Sequence, residues 1–176
     1  MNRHPGGEAA TLRLLELAGI APPLEIIDLG AGDGETVRLL RSLGHRAVGI
    51  DLSPGPDVER GDILSPPFAP GSFDAAVSQC SLLLTGNVPA AFSAAHTLLR
   101  SGGVFMYSDV VPGGVPALKS LAAGAGFTLE AAEDITAAWR EYYIAALWRG
   151  EVQPPPEGIS GKNCRYISAV MRKTQK

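Results

Sequence analysis

Asp28-Leu29-Gly30-Ala31-Gly32-Asp33-Gly34 decides the fold, because it joins an apolar run of strand length to a segment with helical spacing and leaves no spacer between them. Upstream, Leu24 to Leu29 follows Pro22-Pro23 as a short apolar run, the pattern of a buried parallel strand. Downstream, Val37, Leu40 and Leu43 recur at helical spacing within Glu35 to Leu43, and Gly44 supplies a stop. Glycines at alternate positions let the backbone turn sharply and let a ligand approach where a Cβ would collide. The next apolar run, Ala47 to Asp51, ends in a carboxylate 23 residues beyond Asp28. A carboxylate at that place can accept two hydrogen bonds from a ribose diol. Strand, glycine turn, helix, strand and acid therefore predict a nucleoside-binding α/β unit.

The same alternation runs along the rest of the chain. Glu8 to Ala18 places Leu12, Leu15 and Ala18 on one helical face and stops at Gly19. Phe73 to Gln79 and Gly103 to Asp109 read as strands, with Ile63 and Leu64 on a short strand before them. Pro89 to Leu99 reads as a helix carrying Phe92, Ala95 and Leu99 on one side. Pro116 to Ala123 is a short helix, Phe127 to Ala132 a strand, Ile135 to Leu147 a helix and Cys164 to Met171 the last strand. Gly150 to Gly161, with Pro154, Pro155 and Pro156, is a loop. Short connections require right-handed crossovers. The expected fold is α/β: one open, mostly parallel sheet of about seven strands with helices on both faces. The expected organisation is a single domain over 1–176, with an N-terminal cap helix (1–23), a cofactor-binding half (24–112) and an acceptor-side half (113–176).

Composition excludes several classes of function. With 15 Lys+Arg against 18 Asp+Glu and a formal net charge of −3, the chain has no basic footprint for nucleic acid or an anionic membrane surface. The 45% hydrophobic content excludes disorder as the main state. Ala75 to Leu99 lacks charged side chains, but Ser78, Gln79, Ser81, Thr85, Asn87, Ser93 and His96 interrupt it too often for a membrane span. No charged and apolar leader pattern opens the sequence, so a cytoplasmic location is expected. Cys80 and Cys164 are far apart and belong to no Cys-x-x-Cys pair, so neither a disulfide framework nor a metal site is expected.

The loop spacing separates two kinds of nucleoside ligand. Dinucleotide folds prefer Gly-x-Gly-x-x-Gly with the helix N-terminus aimed at a pyrophosphate. Here the third glycine arrives one position early, and Asp28 and Asp33 would repel a pyrophosphate. These acids suit a ligand bearing an ammonium and a sulfonium.

From about Ile26 to Val110 the sequence resembles the class I S-adenosylmethionine-dependent methyltransferases. Asp28 to Gly34 is similar to the first motif of that family, Gly49-Ile50-Asp51 to its second-strand acid and Gly61-Asp62-Ile63 to its third element. Pro67-Phe68 with Gly71-Ser72-Phe73-Asp74, and Leu99-Arg100-Ser101-Gly102-Gly103, resemble the segments before its fourth and fifth strands. The resemblance implies a Rossmann-like, doubly wound fold and S-adenosyl-L-methionine as cofactor, released as S-adenosyl-L-homocysteine. It implies a cofactor set of Asp28, Gly30, Ala31, Gly32, Gly34, Asp51, Leu52, Asp62, Ile63 and Gln79. In that set the first motif holds the methionine end and Asp51 the ribose hydroxyls. Asp62 accepts from the adenine amino group, and the Ile63 N–H meets the ring. Length, the small cap and Arg3-His4-Pro5-Gly6-Gly7 extend the likeness to the small-molecule group that includes arsenite and quinone methyltransferases.

A sulfonium methyl is already activated, so holding the nucleophile in line matters more than a strong base. No catalytic residue is assigned; Gln79, Asp109 and Tyr143 are the candidates on the acceptor side, and the acceptor is expected to be a small molecule. Gln79, Cys80 and Ser81 follow the fourth strand, where the family faces the reacting methyl, although free cysteine is more often a small buried hydrophobe. Asp109 could act as a base or cap a turn. Trp139, Tyr142, Tyr143 and Ala146 form a helical stripe that could be core or roof the acceptor. His96 reads as a surface or packing residue rather than a general base, whereas His4 with Arg3 could fold over the cofactor. Lys162-Asn163-Cys164 could border the acceptor, but Cys164 alone cannot make an arsenite site. Two other functions compete: a non-catalytic cofactor-binding subunit docked through the aromatic helix, and a nicotinamide oxidoreductase, for which Tyr-x-x-x-Lys is missing. The chain is expected as a monomer or homodimer.

Overall fold

The computed structural model describes residues 4–150 and 163–174. Among the described residues seven strands share one sheet: β1 (Glu25–Leu29), β2 (Arg46–Asp51), β3 (Glu59–Arg60), β4 (Phe73–Gln79), β5 (Leu99–Pro112), β6 (Phe127–Asp134) and β7 (Cys164–Lys173). Their spatial order is β3-β2-β1-β4-β5-β7-β6. β1 pairs in parallel with both β2 and β4, and β4 in parallel with β5. β7 alone is reversed, lying antiparallel between β5 and β6. The strand order turns back between β1 and β4, and a crevice opens beyond the carboxyl ends of strands at such a switch point. Both the glycine loop and the Gln79-Cys80-Ser81 corner stand there.

Strand alternation sorts the core onto two faces. Ile26, Val77, Val104 and Met106 face α1 (Gly7–Ala18) and α2 (Glu35–Ser42), whose Leu14, Leu15, Val37 and Leu40 complete one apolar cluster. Ile27, Ala76, Phe105 and Tyr107 face the opposite way, toward α3 (Val88–Leu98) and α4 (Gly114–Gly124). Phe92 anchors that side, edge-on to Phe105 at 5.4 Å and to Tyr107 at 5.3 Å. α5 (Thr136–Trp148) lies between β6 and β7 in sequence. Among the described residues no helix is long and apolar enough to cross a membrane.

The structure moves several expected details. The buried stripe of α1 is Thr11, Leu14, Leu15 and Ala18, while Leu12 is 40% exposed. A polar residue takes the inner face because the Thr11 hydroxyl has a partner there. Leu43 stands exposed as the C-cap of α2. The short strand is Glu59–Arg60 rather than Ile63 and Leu64. Asp62 accepts the Leu64 N–H at 2.9 Å and bridges to Ser65, which bends that segment into a turn. β5 begins at Leu99, paired with Phe73, and a register shift between Phe73 and Ala75 absorbs the Ser101-Gly102-Gly103 bend. Arg3, Lys162 and the three prolines at 154–156 lie outside the described residues.

Candidate functional site

The glycine loop is folded upon its own backbone. Gly30, Gly32 and Gly34 all take positive φ, +85°, +54° and +82°. The N–H groups of Gly30 and Ala31 both donate to the Ile50 carbonyl, at 2.9 and 3.0 Å. The Gly32 N–H donates to Asp51 Oδ2 at 2.9 Å, and the Gly34 N–H to the Ala31 carbonyl at 2.9 Å. A phosphate cradle needs such N–H groups turned outward. Here the N–H groups of Gly30, Ala31, Gly32 and Gly34 are already engaged within the protein.

Two adjoining cavities of about 270 Å³ each open over this loop and share Gly30, Asp51, Ser81 and Leu84. One is acidic: Asp28, Asp33, Glu35 and Asp51 line it with His4 and Gln79, and no Lys or Arg is among its described lining residues. The other is flanked by leucines, Leu52, Leu64 and Leu84, around Asp62 and Ile63. Leu52 and Leu84 are 65% and 84% exposed, large apolar surfaces bordering a cleft. Nine of the ten expected cofactor residues line these cavities. Gly34 does not; it caps α2, where a Cβ would come within 3.1 Å of Val58.

Burial governs the charge of the acidic end. Asp28 is 4% exposed at the end of β1, and desolvation, reinforced by the Asp51 charge, pushes its carboxyl up to about 7. Asp51 accepts from the N–H groups of Gly32 and Ser53, the latter at 2.8 Å, so it also ties the loop to the end of β2. Gln79 Oε1 accepts from the Thr11 hydroxyl at 2.9 Å and from that of Thr36 at 3.5 Å, which turns its amide nitrogen toward His4 Nδ1 at 3.4 Å. Burial pushes His4 below the ordinary histidine range. The His4 segment therefore lies against the cavity, while Arg3 is outside the described residues.

The acceptor-side candidates divide. Gln79 reaches the cavity. Asp109 lines neither cavity, and its two oxygens accept from the N–H groups of Leu83, at 3.1 Å, and Val110, at 2.8 Å. It caps the turn that follows β4. Tyr143 stacks on Trp139 at 5.8 Å, and Trp139 stacks on Tyr166 at 6.0 Å, so the stripe packs against β7. Cys80 lines the acidic cavity, and desolvation pushes its thiol up to about 12, so little of it is thiolate at neutral pH. Both cysteines are free thiols. His96 sits edge-on to Phe127 at 5.2 Å, a packing role. Sequence reasoning missed Thr11, Thr36, Leu84 and Tyr166. A hydroxyl on the inner face of α1 was the available signal for Thr11; the others arise from distant pairings.

The comparisons agree with this geometry. A methyltransferase domain family matches residues 27–107. The chain is 30% identical over 117 residues to malonyl-[acyl-carrier protein] O-methyltransferase of Serratia marcescens, covering 60% of this chain and 46% of that protein. It is also 30% identical over 179 residues to the 18S rRNA (guanine-N(7))-methyltransferase of Bos taurus, covering 85% of this chain and 63% of that one. The chain thus spans about half to somewhat under two thirds of these relatives. Among solved structures, Haemonchus contortus phosphoethanolamine N-methyltransferase 2 in complex with S-adenosyl-L-methionine superposes with TM-score 0.78 at 18% identity, over 98% of this chain and 54% of that one. A [4+2]-cyclase superposes with TM-score 0.77 at 19% identity, over 100% and 85%. These structural likenesses speak for the fold. With its methyltransferase-domain match over residues 27–107, its glycine loop and its acid-terminated second strand, the chain resembles the class I S-adenosylmethionine-dependent methyltransferases.

Proposed function

We propose that this chain binds S-adenosyl-L-methionine and transfers its methyl group to a small-molecule acceptor by direct in-line displacement. The observation that supports this most is the acidic cavity without Lys or Arg among its described lining residues, over a loop whose Gly30, Ala31, Gly32 and Gly34 N–H groups are engaged internally. A pyrophosphate would meet repulsion there, whereas an ammonium and a sulfonium meet opposite charge. Asp28 and Asp33 serve the methionine end, with Gly30, Ala31 and Gly32 giving the close backbone approach. Asp51 takes the ribose hydroxyls on lone pairs left beside its two N–H contacts. Asp62 and the Ile63 N–H meet the adenine edge, and Leu52, Leu64 and Leu84 flank the ring, a flat apolar surface suited to those exposed leucines.

The cofactor supplies an already activated methyl group. The protein must align the acceptor and exclude water, worth several kcal/mol of the barrier. Gln79, held by Thr11 and Thr36, is a rigid amide at the edge of that space. Replacing Asp51 by alanine is expected to weaken binding of S-adenosylhomocysteine by about 1–3 kcal/mol, read by calorimetry, since a charge-assisted partner is removed. An unchanged affinity would count against the ribose assignment.

A nucleic-acid acceptor is the second reading, favoured by the bovine relative and opposed by the net charge of −3. Label transfer from methyl-labelled cofactor into fractionated lysate separates the readings. Label in the small-molecule fraction supports the proposal; label on RNA overturns it; tight binding with no transfer points to a non-catalytic subunit.

A further inference from the structure

Cys80 is the one non-glycine residue with positive φ among the described residues, at +57°, and it lies at the corner where β4 enters the acidic cavity. Left-handed backbone is costly for an ordinary side chain and persists only where its surroundings hold it. Here the holders can be named. The Cys80 N–H donates to the Ser108 carbonyl at 2.8 Å. The Tyr166 hydroxyl, from β7, stands within hydrogen-bond reach of the same carbonyl at 3.3 Å and of Cys80 Sγ at 2.8 Å, the latter a contact in which either group can donate. Tyr166 is 1% exposed, so this contact is made out of water. Tyr166 is in turn mounted on α5 twice. Its backbone N–H donates to Thr136 Oγ1 at 2.9 Å, and its ring stacks on Trp139 at 6.0 Å with 18° between the planes.

We propose that Tyr166 is a positioning residue: by clamping Cys80 in the left-handed conformation it sets the Gln79-Cys80-Ser81 corner of the cavity, and through Thr136 and Trp139 it makes cofactor affinity depend on the seating of α5. The proposal rests on the reading of the cavity as the S-adenosylmethionine site. Ser81 is the other side of the same corner, donating to the Gly30 and Gln79 carbonyls, each at 3.0 Å. A relaxed Cys80 would turn Ser81 away from the glycine loop.

Tyr166→Phe keeps the ring and its stack and removes only the hydroxyl. Two measurements test it. The first is the rate of maleimide labelling of each thiol in the protein without cofactor. Selective labelling of Cys80, about tenfold faster than in the wild type, with buried Cys164 still protected, is expected. An unchanged Cys80 rate, or both thiols labelling together as in general unfolding, overturns the clamp. The second is calorimetry with S-adenosylhomocysteine in a double-mutant cycle with Cys80→Gly, since glycine takes positive φ without strain. Tyr166→Phe is expected to weaken binding about tenfold when Cys80 is present and markedly less when Gly occupies that position. Equal losses in both backgrounds, or none, overturn the coupling while leaving the cofactor reading intact. Absence of binding by the wild-type protein overturns the cofactor reading itself, and the labelling result still decides the clamp.

Discussion

Replacing Gly30 by alanine is expected to abolish cofactor binding and to destabilise the fold by about 2–5 kcal/mol, the sum of a left-handed backbone cost and an overpacking cost. The added Cβ would stand 2.3 Å from both Cβ and Oγ of Ser81, with φ at +85°. Ser81 cannot swing aside without leaving the two carbonyls that its hydroxyl joins, those of Gly30 and Gln79. The Ile63 Cδ1 closes the other side at 3.4 Å. Gly71→Ala is the control: it carries φ of +67° but nothing lies within 4 Å, so it pays the backbone cost alone. Denaturant unfolding of the two variants separates the terms. If Gly30→Ala loses no more stability than Gly71→Ala and still binds S-adenosylhomocysteine, the close approach of loop and corner is not what shapes the cleft.

Asp28→Asn is expected to stabilise the cofactor-free protein at pH 8 and to weaken its cofactor binding. The folded carboxyl titrates at about 7, above the 3.8 of an unfolded chain, because burial and Asp51 disfavour its charge. A folded state that keeps its proton longer is favoured at low pH. The contribution is fully present below about pH 4 and lost as pH rises through 7. The gap of roughly three pH units, at about 1.4 kcal/mol each, bounds the loss at about 4 kcal/mol. Asparagine escapes it, so the thermal stabilities of variant and wild type should converge near pH 4, part progressively between pH 4 and 7, and keep a constant gap above pH 7. The same carboxylate is stabilised once a sulfonium and an ammonium lie beside it. Wild-type affinity for S-adenosylmethionine should therefore rise with pH up to about 7 and then level, with proton release visible as a buffer-dependent heat. Asp28→Asn should show neither. A variant that is less stable than wild type at pH 8 would mean that Asp28 is structural, held by contacts outweighing its desolvation. Destabilisation in the empty site in exchange for a charged group where the ligand needs it is the pattern expected of a functional position.

Much of this was legible because the informative patterns are local. β4 falls on Phe73 to Gln79 as read from its apolar run, and β1, β2 and α2 lie within a residue or so of their expected bounds. The loop and the Asp51 carboxylate needed only strand and helix periods and the conformational demands of glycine. What stayed hidden depends on partners far along the chain. Thr11 looks like a polar interruption of α1 until Gln79, 68 positions away, accepts its proton. Asp109 reads equally as a base or a turn cap until the Leu83 N–H, 26 positions away, is seen on its carboxylate, outside both cavities. Nothing near Tyr166 in sequence announces Cys80, 86 positions earlier. The acceptor is similarly remote from sequence pattern, since a fold of this kind serves many acceptors by varying its loops.

Calorimetric titration of the wild-type protein with S-adenosylhomocysteine and, separately, with NAD is the most direct test of the central claim that this cleft is shaped for an adenosyl amino acid rather than a dinucleotide. One equivalent of S-adenosylhomocysteine should bind while NAD gives no saturable heat. Saturable binding of NAD with none of S-adenosylhomocysteine would contradict the claim.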